Sequence, residues 1–315
     1  MRVVVLTNMY PTEQRPWFGV FVKDQVEDLR HLGLTVDVLF FDGGRSRGNY
    51  LRAARALRRL IARGGIDLVH AHYGLSGAVA VTQRRIPAVT TFHGSDCSGE
   101  APWQSVVSWG VARLSTPIFV SRHLAERLRL DGAAVVPAAV DTELFRPTDR
   151  ASARRALGWP DDARYAILPG SRATALKRAD LFDAAIEHAR ASLPDLRGVS
   201  LEGLSRQEVV QVMNAADVTV MTSDNEGSPV TVKESLACCT PVVSVPVGDV
   251  PALLAGLPGC SIVSRDPGEL GDAVVASIEA GRSSELRKRA QQYSRPAIAS
   301  QIVDVYRTTL GRSAQ

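Results

Sequence analysis

The segment 217–245 constrains the fold more than any other, because strand-like and helical patterns alternate along it. Residues 217–221 form an apolar, strand-like run, a helix follows that ends near residues 238–240, and residues 241–245 form a second strand-like run. A helix that joins two buried strands is typical of a parallel sheet. The loop between the first strand and the helix is then expected at the carboxyl edge of the sheet, where open α/β sheets bind ligands.

This loop, residues 222–229, has the features of a phosphate-binding turn. Gly227 allows the backbone to approach a ligand, and Pro229 suits the start of a helix. The free N–H groups of a first helical turn bind phosphate readily. Glu226 precedes the helix, whereas Glu234 lies roughly 7 Å along its axis at ~1.5 Å per residue. One carboxylate on each side of a phosphate suits a nucleotide-sugar, with its ribose, diphosphate and hexose.

Two cations follow an earlier strand, residues 165–169. Arg172 and Lys177, after Gly170, could bind a diphosphate leaving group, since arginine grips oxygens as a planar fork and lysine acts as a point charge. Alone, the pattern also fits solvated loop charges, which are common. Its combination with Glu226 and Glu234 on the next binding edge favours the ligand-binding interpretation.

The chain has the length of about two domains and an ordinary globular composition. It has 315 residues, of which 45% are hydrophobic and 22% charged. No apolar run approaches the ~18 residues that span a bilayer. Residues 1–6 predict a strand rather than a signal peptide, because the apolar run is short and lacks a small-residue cleavage site. We expect a soluble protein.

The four cysteines predict neither a metal site nor a disulfide framework. Cys97, Cys238, Cys239 and Cys260 lack metal-ligand spacing, and the adjacent Cys238 and Cys239 are unsuited to bridge each other. A reducing cytoplasm fits this pattern, and the inner face of the membrane is a second possible location.

The first 41 residues predict a strand, a helix and a strand, but not a dinucleotide site. The runs 2–7, 20–32 and 36–41 have this pattern, yet the first turn has a single glycine, Gly19, and a long loop instead of G-x-G-x-x-G. An NAD(P) oxidoreductase is therefore disfavoured.

The segment 45–63 predicts a basic amphipathic helix. It holds seven arginines and no acidic residue, and its apolar residues recur at helical spacing. Such a helix could lie on an anionic membrane. The alternative is a helix that packs its apolar side on the sheet and solvates its arginines.

Histidines end two further predicted strands. His70 and His72 end residues 67–72, and His93 follows residues 87–92, with Asp96 three residues later. His93 is a candidate for the site, the alternative being a structural cap of the strand. His70 and His72 could instead pack on the sheet or bond its edge, and Asp96 could bond only the loop backbone.

Residues 148–160 are polar and helical and read, by composition, as a linker. We therefore predict an N-terminal acceptor-side domain over 1–148, a donor-binding domain over 149–295, and a helix over 296–315 that returns to the first domain. The alternating strands and helices predict two doubly wound, Rossmann-like α/β domains that face a cleft.

These residues resemble the retaining GT-B glycosyltransferases of glycosyltransferase family 4, which include bacterial polysaccharide and lipid-sugar transferases. The most specific similarity is the E-x7-E spacing of Glu226 and Glu234. The resemblance covers nearly the whole chain and also includes segments 16–23, 70–74, 91–96, 140–145, 170–177, 215–218 and 241–243.

The resemblance implies a donor site and a reaction. Arg172 and Lys177 would bind the donor diphosphate, Glu234 the ribose hydroxyls, and Glu226 the transferred sugar, which His93 would contact from the other domain. The implied catalytic set is His93, Glu226, Arg172 and Lys177. The implied donor-binding set consists of Arg172, Lys177, Glu226 and Glu234 together with Gly19, Gly170, Gly227, Ser228 and Pro229. The sugar would move to a hydroxyl acceptor with retention, the leaving phosphate helping to deprotonate the acceptor, with no bound metal and no cofactor besides the nucleotide-sugar co-substrate.

The acceptor side is less well defined by the resemblance. Its candidates are Asp96, Trp17 and His72, and the acceptor is a glycan, a lipid-linked molecule or a small molecule. The sequence departs from the family pattern at Arg178, where glycine or asparagine is usual, and at 138–139. Two alternatives stay open: a GT-B epimerase or hydrolase that acts on the nucleotide-sugar alone, and a non-catalytic partner subunit. Nucleic acid is excluded as a partner because the arginines are not interleaved with aromatic residues.

Overall fold

The chain divides into two compact units. The computed structural model describes residues 1–97, 101–130 and 132–313. Unit 1 comprises Met1–Ala138 with Arg295–Gln315, and unit 2 comprises Ala139–Ser294. The division lies earlier than the expected boundary at 148 and 149, because Val140 and Phe145 are buried in the core of unit 2. The last two residues of the expected segment 296–315 lie outside the described residues.

Unit 1 contains a six-stranded parallel sheet. The strand order is β2-β1-β3-β4-β5-β6. Its strands are β1 Arg2–Thr7, β2 Thr35–Phe40, β3 Leu68–His72, β4 Ala88–Phe92, β5 Thr116–Phe119 and β6 Ala134–Val135. β3 is buried throughout and pairs in parallel with β1 and β4. The carboxyl ends of β3 and β4 therefore bring His72 and the residues after Phe92 to one edge of the sheet.

Helices cover both faces of this sheet. They are α1 Val20–His31, α2 Gly48–Ala62, α3 Gly74–Ala80, α4 Pro102–Leu114, α5 Arg122–Arg127 and α13 Arg295–Ser313. Right-handed crossovers place α2 to α5 on one face and α1 on the other, because the strand order reverses at β1. α4 was not foreseen in the sequence; it begins at Pro102, whose missing N–H suits a first helical turn.

The last helix, α13, belongs to unit 1 and packs on α1. Arg295 Nε donates to both carboxylate oxygens of Asp28, at 2.9 and 3.0 Å, and Tyr306 is fully buried. The prediction that the last helix returns to the first domain is confirmed.

Unit 2 contains a five-stranded parallel sheet of order β11-β10-β9-β7-β8. Its strands are β7 Arg164–Leu168, β8 Leu196–Ser200, β9 Val218–Met221, β10 Val242–Ser244 and β11 Ser261–Ile262. Its helices are α6 Arg150–Leu157, α7 Ala179–Ala189, α8 Arg206–Ala215, α9 Val230–Ala237, α10 Val250–Leu254, α11 Pro267–Ala280 and α12 Ser284–Gln291. The strand–loop–helix–strand pattern predicted for 217–245 is β9, α9 and β10.

The segment expected to be a linker is an integral part of unit 2. α6 packs on α8, and the Arg154 side chain is only 3% exposed. Its guanidinium donates to Asp217 Oδ2 at 2.8 Å and to the Ala215 carbonyl oxygen at 3.0 Å. The linker interpretation is wrong because the polar composition of α6 includes an arginine whose charge is neutralised inside the fold. Among the described helices, none combines the length and hydropathy of a membrane-spanning segment.

Candidate active site

The turn after β9 brings two predicted site residues into direct contact. Lys177 Nζ donates to Glu226 Oε1 at 2.6 Å, and the two side chains are 25% and 17% exposed. Lys177 ends a short 3-10 turn, Ala175–Lys177. That turn is fastened to the loop after β9: the Asp224 N–H donates to the Leu176 carbonyl at 2.9 Å, and Thr222 Oγ1 donates to the Lys177 carbonyl at 2.7 Å. A cation and a carboxylate are thus positioned together at the carboxyl edge of the sheet.

Gly170 makes room for the lysine. Its φ of 131° lies outside the range that L side chains adopt readily, and a Cβ there would lie 2.9 Å from Lys177 Cε. The glycine predicted to line the donor site therefore permits the path of the Lys177 stem.

Arg172 is not paired with Lys177 or Glu226. Its Nη1 lies 2.9 and 2.8 Å from the two carboxylate oxygens of Asp183 in α7, and this bond raises the pKa of the guanidinium. Its backbone N–H faces Glu202, which also accepts a hydrogen bond from Ser171 Oγ at 2.6 Å. The guanidinium is partly exposed, so it is accessible to a ligand that competes with Asp183.

Glu234 lies inside the first turns of α9 and is nearly buried. Burial raises the pKa of its carboxyl group to about 7, while Arg206 opposes this shift and Asp141 adds to it. A carboxyl group with this pKa changes its charge near neutral pH and is sensitive to hydrogen bonds that a ligand donates.

A buried network under the loop was not found from the sequence. Lys233 is fully buried, and its Nζ lies 2.5 Å from Ser228 Oγ and 3.2 Å from Asp249 Oδ2. Ser228 Oγ also donates to Asp249 Oδ2 at 2.5 Å. Burial lowers the pKa of Lys233, and Asp249 opposes that shift. The signal that could have revealed this network is a lysine within an otherwise buried helical segment.

Gly248 completes the support of the loop from the other side. Its φ is 55°, and a Cβ there would lie 2.8 Å from the carbonyl oxygens of both Glu226 and Gly227. No side chain fits this space without moving the loop. The backbone of Glu226 and Gly227 is therefore fixed by a neighbouring loop rather than by its own sequence alone.

Arg178 and Arg265 share Asp224 at the rim of the site. Arg178 bonds Asp180 as well as Asp224, whose Oδ1 lies 3.3 Å away, and the bond to Asp180 raises the pKa of Arg178. Arg265 donates to Asp224 Oδ1 at 3.0 Å and to the carbonyls of Thr222 and Ser223. The sequence departure at Arg178 thus forms part of an ion-pair cluster, and Arg265 is a member that the sequence did not indicate.

In unit 1, three imidazoles form a buried row at the carboxyl edge. His93 Nε2 lies 2.9 Å from His72 Nδ1, and their rings stack with centroids 5.2 Å apart. The Gln25 amide nitrogen lies 3.3 Å from His72 Nε2 and 3.5 Å from His70 Nδ1. With this nitrogen as donor, His72 keeps its proton on Nδ1 and donates it to His93 Nε2.

Burial lowers the pKa of all three imidazoles, that of His72 to about 3. His70 also bonds Tyr306 and Thr91, at 2.6 and 2.7 Å, so it is an internal residue that links β3 to α13. The row is therefore neutral at physiological pH, and His93 is its half-buried member.

Asp96 bonds the backbone of the loop that carries His93. It accepts from the N–H groups of His93, Gly94 and Gly74 at 3.0 to 3.1 Å. Burial raises the pKa of its carboxyl group, and these backbone bonds oppose the shift. Asp96 thus orients the His93 loop from within.

Gly19 and Trp17 occupy the loop before α1. Gly19 has a φ of 74° and its missing Cβ position is filled by the backbone of Met9. The residue that Gly19 approaches closely in this structure is thus Met9 of the same chain. Trp17 is 73% exposed. Phe21, at the start of α1, lies against His93 with ring centroids 5.0 Å apart.

Comparison with known families and proteins places the chain among glycosyltransferases. The profile of Glycosyltransferase Family 4 matches residues 1–144, and that of Glycosyl transferases group 1 matches residues 173–280. A D-inositol 3-phosphate glycosyltransferase of Mycobacterium leprae is 30% identical over 319 residues, covering 82% of this chain and 73% of that protein. The homologue of that name from Mycolicibacterium vanbaalenii is 29% identical, covering 79% and 68%.

Solved structures share the fold at lower identity. Sucrose-phosphate synthase from Thermosynechococcus elongatus has a TM-score of 0.78 at 19% identity, covering 99% of each chain. HepE from Anabaena in complex with UDP has a TM-score of 0.73 at 15% identity, covering 98% of this chain and 100% of that one. These similarities establish the GT-B fold.

Proposed function

The chain belongs to glycosyltransferase family 4, and from this premise we propose that it transfers a sugar, with retention, from a nucleoside-diphosphate sugar to a hydroxyl acceptor. Glycosyltransferase activity follows from the family. The stereochemistry, the roles of individual residues and the independence from metal are proposals. Neither an epimerase or hydrolase nor a non-catalytic subunit is favoured by the relatives.

The contact of Lys177 with Glu226, beside the N-terminus of α9, carries the proposal. A diphosphate at this helix end would compete with Glu226 for the Lys177 ammonium, since a diphosphate carries more negative charge than a single carboxylate. Glu226, released from the lysine, could accept hydrogen bonds from hydroxyls of the transferred sugar. The pair would then separate into a phosphate-binding cation and a sugar-binding anion.

Glu234 suits the proposed ribose contact. A carboxylate that accepts hydrogen bonds from two hydroxyls is stabilised in its charged form, which lowers its pKa. Because burial raises the pKa of Glu234 to about 7, donor binding would release a proton from it near neutral pH. The protonation of Glu234 would thereby couple donor affinity to pH.

Retention with the leaving phosphate as base requires cations that keep the phosphate close to the acceptor hydroxyl. We assign this work to Lys177 and to Arg172, whose guanidinium would exchange Asp183 for phosphate oxygens. Electrostatic stabilisation of a leaving group typically contributes about 10² to 10³ in rate for each donor. His93, a neutral imidazole, would act on the sugar as a hydrogen-bonding group rather than as a cation.

The remaining assignments follow the same division. Unit 2 would bind the donor and unit 1 the acceptor, with Trp17 as an exposed acceptor-side candidate and Asp96 and His72 orienting His93. The protein would act in the cytoplasm without a cofactor or a bound metal. Among the described residues, no group of three or more histidine, cysteine or acidic side chains is arranged to hold a metal ion.

A thermal-shift screen against UDP, GDP, ADP and TDP and their sugars tests donor binding. A turnover panel then pairs each stabilising donor with glycan, lipid-linked and small-molecule acceptors, including D-inositol 3-phosphate. We expect nucleoside diphosphate release that depends on acceptor, EDTA-resistant turnover and an unchanged anomeric configuration by NMR. A changed sugar-nucleotide without acceptor, or no binding of any nucleoside diphosphate, would overturn the proposal.

A further inference from the structure

Helix α4 exposes its apolar side. The outward side chains are Trp103, Val106, Trp109 and Leu114, which are 58%, 69%, 46% and 63% exposed. At 3.6 residues per turn they occupy an arc of roughly 140°. Ser108, by contrast, is buried and donates from Oγ to the Asp96 carbonyl oxygen at 2.9 Å. Val111 and Ala112 on the same inward side are buried in the core, so α4 is apolar on both sides, unlike an ordinary surface helix with a polar outward side.

The helices around this apolar stripe are basic. Those on the same face of the sheet, α2 to α5, contain one acidic residue, Glu126, and seven arginines: Arg52, Arg55, Arg58 and Arg59 in α2, Arg113 in α4, and Arg122 and Arg127 in α5. The helices of the opposite face, α1 and α13, have nearly balanced charges, five cations and four acidic residues. Positive charge is thus concentrated on the face that exposes the two tryptophans.

We propose that this face of unit 1, the exposed side of α4 with the arginines of α2 and α5, docks on an anionic phospholipid bilayer. Tryptophan side chains favour the interface between headgroups and acyl chains, and arginines beside them attract anionic headgroups. The Arg113 guanidinium lies 3.7 Å from the centre of the Trp109 ring, so the same stripe offers both contacts.

Charge favours a bilayer over a second copy of the chain. In a two-fold symmetric dimer the same patch faces itself, so the seven arginines would be brought close to their own copies. Repulsion of this kind opposes association, whereas an anionic lipid surface neutralises it.

The position of α4 also suits a lipid-anchored acceptor. The helix begins at the carboxyl edge of the sheet, where the loop after β4 carries His93. A bilayer against α4 would present headgroup-linked hydroxyls at this edge. The docking itself does not depend on the proposed reaction, since it is measured without substrate.

Vesicle co-sedimentation of the full chain tests the proposal. We expect the wild type to bind vesicles of phosphatidylcholine and phosphatidylglycerol (7:3) at least about tenfold more tightly than pure phosphatidylcholine. The triple variant Trp103→Ser, Val106→Ser, Trp109→Ser should lose at least about tenfold in partition coefficient. Trp109→Ser alone should weaken binding, whereas Leu32→Ser, an equally exposed residue (46%) after α1, should not.

The charge contribution has its own matched pair of variants. A triple variant should weaken vesicle binding by roughly fivefold for each arginine that lies near the membrane surface. Its substitutions are Arg52→Gln, Arg55→Gln and Arg59→Gln. A control variant removes the same charge from exposed positions of unit 2 and should change vesicle binding little. Its substitutions are Arg155→Gln, Arg197→Gln and Lys288→Gln. Circular dichroism melting verifies that each variant is folded.

Fluorescence gives a test on the unaltered protein. Brominated phospholipid in anionic vesicles should quench tryptophan emission of the wild type, and Trp103→Phe, Trp109→Phe together should remove most of that quenching. The proposal is overturned if the wild type does not bind anionic vesicles, or if the serine triple variant binds as the wild type does. A dimer that this triple variant dissociates, without vesicle binding, would assign the face to a second copy.

Discussion

Lys177 Nζ lies 2.6 Å from Glu226 Oε1, so the cation expected to bind diphosphate neutralises the carboxylate expected to bind the sugar. Each keeps the other's charge satisfied in a partly buried turn. In the proposed reaction the donor would separate these two charges at the helix end, because its diphosphate would bind Lys177 and its sugar would bind Glu226.

Removing either member of this pair should abolish turnover. We expect Lys177→Ala and Glu226→Ala each to lower kcat roughly 100-fold or more, because Lys177 would stabilise the charge that develops on the leaving phosphate and Glu226 would position the transferred sugar. Steady-state kinetics measures the effect. Lys288→Ala, which breaks an exposed ion pair with Glu285, is the control and should leave kcat unchanged. Wild-type turnover in both site variants would refute the assignment.

The buried lysine should stabilise the loop through Asp249. Lys233→Met leaves a carboxylate without its cation, and we expect a loss of roughly 3 kcal/mol in the free energy of unfolding. The double variant Lys233→Met, Asp249→Asn should recover much of this loss, since both charges are gone. Urea unfolding of the wild type and the variants measures these free energies. Additive losses in the double variant would contradict a coupled network.

Glu234 should make the protein less stable as pH rises. Its folded pKa is about 7 and the unfolded value is near 4.3, so the folded state binds more protons between these values. Stability is therefore lost as pH rises from about 4 to 7. We expect Glu234→Gln to be about 2 kcal/mol more stable than wild type at pH 8, and this difference should disappear below pH 4. The same variant should bind nucleotide more weakly. Unfolding at pH 4, 6 and 8 shows the sign.

The buried imidazole row should have the opposite effect on the pH dependence of stability: the protein should become less stable as pH falls. Its folded pKa values lie below the unfolded value near 6.5, so the unfolded chain takes up more protons in acid. Stability is present above pH 6.5 and is lost as pH falls, by up to about 1 kcal/mol per pH unit for each histidine. His72→Asn should reduce this slope, measured on a Glu234→Gln background.

Gly248 offers a steric test of the loop. Gly248→Ala should weaken nucleotide binding and turnover, because its Cβ would meet the carbonyl oxygens of Glu226 and Gly227. Gly256→Ala shares the positive φ, 72° against 55°, but meets no atom within 4 Å. Both variants should lose about 1 to 2 kcal/mol from backbone strain, and only the first should lose nucleotide affinity. Equal affinities in isothermal titration would exclude a role for this contact.

Much of the architecture could be predicted from local patterns. The strands around 217–245 and the returning helix α13 were expected because apolar periodicity is a property of neighbouring residues. α4 was missed because its outward residues are apolar, so that it lacks the polar face on which the helical pattern depends. The segment of α6 was interpreted as a linker because burial of Arg154 depends on Asp217, a partner 63 residues away.

The same contrast holds for the candidate site. The residue types that flank the turn predicted to bind phosphate could be read from the sequence, because the spacing of Glu226 and Glu234 and the position of Gly227 are local features. The partners of the site residues became visible in the fold alone: Lys177 for Glu226, Asp183 for Arg172, Asp249 for Lys233, and Gln25 for the histidine row. Within each unit, these partners come from separate elements that the fold brings together, so no local pattern encodes them. Burial, which sets the pKa values of Glu234 and His93, likewise depends on the packing of the whole unit.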